Sequence, residues 1–164
     1  MAVYLRVRLR RFVVRQTALV HLAERVLSAV GESRSELSLE LTGDRRMQRL
    51  NREYRKKNRP TDVLAFPIRE AVMPQKLYPV THMLGDVVIS LPTVVRQAKE
   101  AGRSIDDELA MLLVHGVLHL CGYDHERNPQ EAARMARRER ALLHRISPVP
   151  GMVTVRIARR TRSR

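Results

Sequence analysis

Three histidines near the middle of the chain have the spacing of ligands to one metal ion. Residues 115–125 read HGVLHLCGYDH and contain three of the six histidines in the chain. His115 and His119 are four residues apart, which places both rings on one face of a helix, one turn from each other. Gly122 then allows the backbone to leave the helix and turn back, so that His125 can reach the same point. The motif therefore predicts a three-histidine metal site.

Three imidazoles form the donor set of a catalytic zinc site. Neutral ring nitrogens at ~2.0–2.1 Å favour Zn²⁺ among the common metals. Three protein ligands leave a fourth position for water, whose pKa a bound zinc ion lowers to ~7. The alternative is two ordinary core or surface histidines with an unrelated third, which is the usual explanation for an isolated pair at this spacing. The glycine turn and the third histidine favour the metal site.

The same spacing occurs in metzincin proteases, but one essential residue differs. In those enzymes the general base is a glutamate directly after the first histidine. Here that position is Gly116. Without the carboxylate, water-driven peptide hydrolysis lacks its proton acceptor. The sequence thus argues against a peptidase, and the net charge of +14 favours a polyanionic substrate.

The composition limits the class of protein. The 164 residues suit one domain with a core of its own. The single cysteine, Cys121, excludes an intrachain disulfide and a zinc site built from several cysteines. No apolar run approaches the ~20 residues of a membrane span, and arginines interrupt the N-terminal segment where a signal peptide would be apolar. The single cysteine fits a reducing compartment. The excess of 31 Lys and Arg over 17 Asp and Glu favours contact with nucleic acid.

The histidine motif must be positioned by the strands and helices around it. Alternating or continuous apolar residues predict four strands, at residues 2–10, 36–41, 62–68 and 84–91. Prolines bound the third strand, which is therefore expected at an edge of the sheet. The fourth strand is almost continuously apolar, so we expect it to be central.

Helical spacing of apolar residues predicts five helices, at residues 17–30, 44–57, 92–101, 104–120 and 129–145. Asp44 and Ser104 are expected to cap the second and fourth of these helices. The pattern predicts a single α+β domain over residues 1–145, with a mixed sheet of roughly four strands packed with about five helices. Residues 146–164 contain prolines and arginines but no acidic residue, and we expect them to form a flexible basic tail.

Two further segments, together with the histidine motif, make the sequence resemble a known family. Residues Leu50–Pro67 read LNREYRKKNRPTDVLAFP, and Leu84–Ser90 read LGDVVIS. In this order and spacing, the three segments resemble the YbeY family of bacterial and organellar metal-dependent endoribonucleases, also called rRNA maturation factors. The resemblance covers about residues 35–145.

The resemblance implies a single-strand-specific, zinc-dependent endoribonuclease that acts in the cytoplasm in rRNA maturation, at the 3′ end of 16S rRNA, and in ribosome quality control. It implies one Zn²⁺ per chain held by His115, His119 and His125, and a catalytic Arg55. The Arg55 guanidinium could hold a phosphate by paired hydrogen bonds. The implied partners are single-stranded RNA, rRNA and the small ribosomal subunit, with ribosomal proteins and an assembly GTPase as further candidates and no membrane.

Two acidic residues, Asp86 and Asp124, are candidates for supporting roles. Each could orient a ligand histidine from behind, as metal sites usually require, or could simply make turn hydrogen bonds. Two other functions stay open at this point. One is a zinc metallopeptidase, and the other is a non-catalytic ribosome assembly factor in which the zinc is structural.

Overall fold

A computed structural model of the chain describes residues 2–68 and 82–156, which form six strands and five helices. The strands are β1 (Ala2–Val7), β2 (Phe12–Val14), β3 (Glu36–Thr42), β4 (Val63–Pro67), β5 (Met83–Ser90) and β6 (Val153–Val155). The helices are α1 (Gln16–Ala29), α2 (Asp44–Arg55), α3 (Leu91–Ala101), α4 (Ile105–Leu120) and α5 (Pro129–Ile146). Within these described ranges, no helix combines the length and the apolar character needed to cross a membrane.

Four of the strands form one mixed sheet, in the order β1-β3-β5-β4. The strands β1, β3 and β5 are parallel, and β4 runs antiparallel to β5. As predicted, β4 is at an edge and β5 is inside the sheet. The predicted α+β class, with a mixed four-stranded sheet and five helices, is confirmed for the part of the chain that the structure describes.

Helices cover the two faces of the sheet unequally. Alternate side chains of β3, those of Leu37, Leu39 and Leu41, are fully buried in the main core together with residues of α1, α3, α4 and α5. On the opposite face, Met47 of α2 packs in a small second core with Leu64 of β4 and with β5. Helices α2 and α4 therefore lie on opposite faces of the sheet, and the edge strand β4 lies between them.

The C-terminal segment is more ordered than the sequence predicts. We expected a flexible tail over residues 146–164, but β6 pairs antiparallel with β2, and both Met152 and Val153 are buried. Their backbone N–H groups donate to one carboxylate oxygen of Asp106, at 2.8 and 2.9 Å. The strands β2 and β6 were missed because three residues are too few to show an alternating pattern. Residues 157–164 lie outside the described residues.

Asp44 does not cap its helix, contrary to prediction. The N-cap of α2 is Gly43, without a side-chain cap. The Asp44 carboxylate instead accepts hydrogen bonds from Ser90 at 2.6 Å, Thr93 at 2.8 Å and Arg96 at 3.0 Å. Burial alone would raise the pKa of Asp44, but these three donors outweigh it and hold the pKa below its ordinary value. Asp44 thereby ties the start of α2 to the start of α3.

Candidate metal centre

Helix α4 positions the first two histidines of the motif. Ser104 caps this helix as predicted, because its hydroxyl accepts from the backbone N–H of Asp107 at 3.0 Å. Most of the helix is buried in the main core, which fixes its rotation. His115 and His119 are half-buried on the same face, and their Nε2 atoms lie 3.0 Å apart.

A tight reversal after α4 brings the third histidine to the first two. The backbone N–H of Gly122 donates to the His119 carbonyl, and the N–H of Tyr123 donates to the Leu118 carbonyl. Gly122 has a φ of +94°, in the left-handed region that a side chain disfavours. The prediction that glycine permits this turn is therefore confirmed. The ring centre of His125 lies 5.2 Å from that of His115 and 5.0 Å from that of His119.

The three rings form a donor set that fits a metal ion. One nitrogen of each of His115, His119 and His125 lies within 4.8 Å of those of the other two. Three imidazole nitrogens that face one small space match the ligands that Zn²⁺ prefers. The structure thus brings together the three histidines that the sequence predicted as ligands.

Glu139 supports this centre and was not predicted. Its Oε1 atom lies 2.5 Å from Nδ1 of His115. Since the carboxylate occupies Nδ1, the ring keeps Nε2 for the space shared with the other histidines. Glu139 is on α5, one turn after the buried Met135, so both point toward α4. The spacing of Met135 and Glu139 could have indicated that Glu139 points inward. It could not have identified His115 as the partner.

The ring of His119 is held in its neutral form. Burial lowers the pKa of His119 below the ordinary value of 6.5, and the neighbouring rings of His115 and His125 lower it further. A neutral imidazole is the form that binds a metal. The local environment therefore favours the ligand form of His119 at neutral pH.

Arg55 lies in the same cavity as the histidines, although it is distant in sequence. It is the last residue of α2, and Lys56 ends the helix with a φ of +55°. The buried side chain of Asn51 donates to the Arg59 carbonyl at 2.9 Å, which fixes the segment that follows. The guanidinium of Arg55 lies 3.8 Å from the exposed carboxylate of Glu126, directly after His125 in the sequence.

A cavity of about 730 Å³ contains these groups. Its wall combines the three histidines with basic side chains and aromatic rings from α2, the segment between α2 and β4, β4 itself and the turn after α4. The basic residues are Arg55, Lys57, Arg59 and Arg127, and the aromatic residues are Tyr54, Phe66 and Tyr123. An anionic, partly planar ligand would find matching charge and ring surfaces here.

The two predicted acidic candidates lie in different places. Asp124 lines the cavity. Its carboxylate accepts a hydrogen bond from the backbone N–H of Glu126 at 2.9 Å, which stabilises the turn at residues 124–126. Asp86 lines a separate groove of about 330 Å³ on the α2 side of the sheet, together with Arg6 and Arg46. Alternate residues of β5 face opposite sides, and Asp86 faces away from α4. The proposed support of a ligand histidine by Asp86 is therefore wrong.

Gly116 lies against the sheet, which explains the absence of the protease glutamate. A Cβ atom at this position would be 2.8 Å from Cγ1 of Val87 and 3.3 Å from Cγ2 of Val63. Val87 is fully buried, so its side chain has little room to move. A glutamate here would push α4 off the sheet. Packing therefore excludes a metzincin-like base beside His115.

Comparisons with known proteins identify the family. The family model for Endoribonuclease YbeY matches residues 7–147. A curated relative with that name from Aquifex aeolicus is 43% identical over 141 residues, which is 86% of this chain and 90% of the relative. Another from Geobacter metallireducens is 47% identical over 136 residues, which is 82% and 89% of the two chains. The solution structure of TM1509 from Thermotoga maritima has the same fold, with a TM-score of 0.58 over 88% of each chain at 23% identity. The chain belongs to the Endoribonuclease YbeY family.

Proposed function

We propose that this chain is a zinc-dependent endoribonuclease that cleaves single-stranded RNA. The observation on which the proposal rests is that His115, His119 and His125 meet in a cavity lined by basic side chains. We assign its biological role to rRNA maturation, at the 3′ end of 16S rRNA, and to ribosome quality control in the cytoplasm. Its partners in that role are the small ribosomal subunit, with its ribosomal proteins, and an assembly GTPase.

The three histidines would hold one Zn²⁺, with Glu139 fixing the ring of His115 from behind. The chemistry that zinc supplies in such a site is Lewis-acid polarisation of a phosphoryl oxygen. Ni²⁺ and Cu²⁺ also bind imidazole nitrogens, so metal analysis forms part of the test below.

Arg55 would bind the phosphate that is cleaved. A guanidinium can donate two parallel hydrogen bonds to one phosphate and can stabilise the charge that develops during cleavage. Its guanidinium lies 3.8 Å from the carboxylate of Glu126, and both side chains are about half exposed. Such an exposed pair is weak, so RNA can displace it at little cost.

Carboxylates beside His125 would handle the proton. Asp124 and Glu126 both line the cavity, and a carboxylate there can take a proton from the attacking hydroxyl group. This arrangement replaces the glutamate that packing excludes at Gly116. The basic side chains of the cavity wall, which match a phosphate backbone and not a neutral peptide, are what favour RNA over a peptidase substrate.

The test combines metal analysis with RNA cleavage. Purified protein should contain one zinc per chain and cut a labelled single-stranded RNA. A chelator should abolish cleavage, and added Zn²⁺ should restore it. His119→Ala should lose metal and activity while it stays folded, whereas His21→Ala, a matched change on the exposed side of α1, should keep both.

Three outcomes would contradict the proposal. Cleavage that persists without metal would exclude the zinc mechanism. Hydrolysis of casein with intact RNA would support a peptidase. If a folded His119→Ala variant still supported rRNA maturation in cells, the protein would be a non-catalytic assembly factor.

A further inference from the structure

Tyr54 is a large aromatic side chain that the fold leaves mostly exposed. Tyr54 lies on the same face of α2 as the fully buried Met47, two helical turns further along. From this spacing alone, Tyr54 would be placed in the core. The helix, however, extends past the end of its small core, and 66% of Tyr54 is exposed. Its ring contacts Phe66 edge-on, with ring centres 5.2 Å apart and planes at 62°. This contact restrains the ring, while most of the residue stays open to solvent.

The other aromatic side chains of the cavity are less accessible. Tyr123 is partly buried against the main core, and the guanidinium of Arg134 lies 4.7 Å above its ring centre. Phe66 is partly buried against the small second core. Among the cavity residues that the structure describes, Tyr54 is thus the aromatic side chain with the largest exposed surface.

The position of Tyr54 relates it to the phosphate-binding side of the cavity. The next residue is Arg55, and both line the cavity that holds the three histidines. Tyr54 also lines the separate groove on the α2 side of the sheet, so Tyr54 and its neighbour Phe66 border both depressions. Exposed aromatic rings next to basic side chains are the combination with which proteins bind single-stranded nucleic acid.

We propose that Tyr54 is a base-stacking platform for the RNA substrate. A nucleobase adjacent to the cleaved phosphate would lie on the Tyr54 ring, while Arg55 holds that phosphate. The stacked base would be accepted whatever its identity, because every base presents a flat π-face. This inference rests on the proposed endoribonuclease function and names a binding position within it.

The first experiment removes the ring and the base separately and together. Tyr54→Ala should weaken RNA binding and raise KM roughly 5- to 150-fold, which is the usual contribution of one stacked base, whereas Tyr54→Trp and Tyr54→Phe should keep most of it. A set of RNAs with one abasic nucleotide, moved through the positions beside the cleavage site, should contain one that wild type binds as weakly as Tyr54→Ala binds intact RNA. On that RNA the Tyr54→Ala change should have no further effect.

The matched control is Tyr4→Ala. Tyr4 is 52% exposed on β1, where its hydroxyl donates to Glu36, and it lines neither the cavity nor the groove. This variant should behave as wild type. Thermal unfolding of both variants shows whether a lost ring has affected the fold instead of RNA binding.

A second measurement does not depend on cleavage. In RNA that carries 2-aminopurine at the stacked position, fluorescence should fall when metal-depleted wild type binds, and this quenching should be lost in Tyr54→Ala. Unchanged binding by Tyr54→Ala, or additive losses at every abasic position, would overturn the platform. If wild type failed to cut RNA, the proposed function would fail, while the quenching would still report on Tyr54.

Discussion

Nδ1 of His115 and Oε1 of Glu139 lie 2.5 Å apart, a contact that joins the ligand-bearing helix α4 to the last helix, α5. The contact leaves Nε2 of His115 for the space that it shares with His119. One carboxylate therefore selects which nitrogen of the ring can bind a metal.

Glu139→Ala should weaken zinc binding about 10- to 100-fold, because the ring of His115 loses the acceptor that orients it. Glu139→Gln keeps an amide oxygen that can still accept from Nδ1, so it should weaken binding less. Competition with a zinc indicator measures the affinity directly. Glu100→Gln, on the exposed side of α3, makes the same chemical change away from the centre and should have no effect. Equal zinc affinities for Glu139→Ala and wild type would show that the contact does not position the ligand.

Arg55→Ala should lower kcat about 10²- to 10³-fold, as the loss of one charge-stabilising donor usually does. Arg55→Lys should restore only part of the rate, because an ammonium group cannot donate the paired hydrogen bonds. Steady-state cleavage over a range of RNA concentrations measures kcat and KM separately. The matched control is Arg49→Ala, an exposed residue of the same helix that lines neither depression. An effect confined to KM would mean that Arg55 only binds RNA.

Gly116→Ala should destabilise the chain by about 1–3 kcal/mol, because the added methyl group meets Val87 in a fully packed core. The higher helix propensity of alanine would offset up to about 1 kcal/mol of this loss. Urea unfolding measures the net change. Val87→Ala alone should destabilise the chain by leaving a cavity. Gly116→Ala should cost less in the Val87→Ala background than in wild type, and a fully additive double variant would argue against the steric cause.

Asp106→Ala should destabilise the chain by about 1–3 kcal/mol, because the N–H groups of Met152 and Val153 lose their shared acceptor. Asp107→Ala, which removes an exposed carboxylate from the same helical turn, should cost less. Chains that end before Met152 should also be less stable, since they lose a buried side chain and the β2–β6 pairing. A short chain as stable as the full one would show that this segment does not stabilise the fold.

Asp44 should make stability depend on pH in the acid range. Its pKa is lower in the folded chain than the ordinary 3.8, so the unfolded chain binds the proton more readily. The stabilisation is therefore complete above about pH 4 and is lost as the pH falls through the lower folded pKa. Asp44→Asn should be less stable near pH 7, and the difference from wild type should shrink as the pH falls below the ordinary pKa of 3.8. A constant difference across this range in urea unfolding would contradict the assignment.

Short-range sequence patterns predicted those features whose residues all lie within one segment of the chain. The spacing of His115 and His119, the capping serine at 104 and the turn at Gly122 all follow from helix geometry, and the structure has each of them. The edge position of β4 likewise follows from its bounding prolines.

Contacts between distant segments could not be predicted in this way. Glu139 meets a histidine 24 residues before it, and β6 pairs with a strand some 140 residues before it. Asp44 looked like a helix cap because aspartate favours that position, but donors at the end of β5 and on α3 compete for the same carboxylate. Asp86 was misplaced because the direction of a side chain on a strand depends on register, which the chain sets only on folding.

Helix α4 both fills the middle of the protein and presents two of the three ligands, so its sequence has little freedom to vary. Random mutagenesis of this helix should yield mainly insoluble protein, with few clones that are soluble but inactive. The turn after Gly122 is different, because His125 and its neighbours are largely exposed. Efforts to retune the centre for another ion should therefore begin in that turn, where a changed ligand leaves the interior untouched.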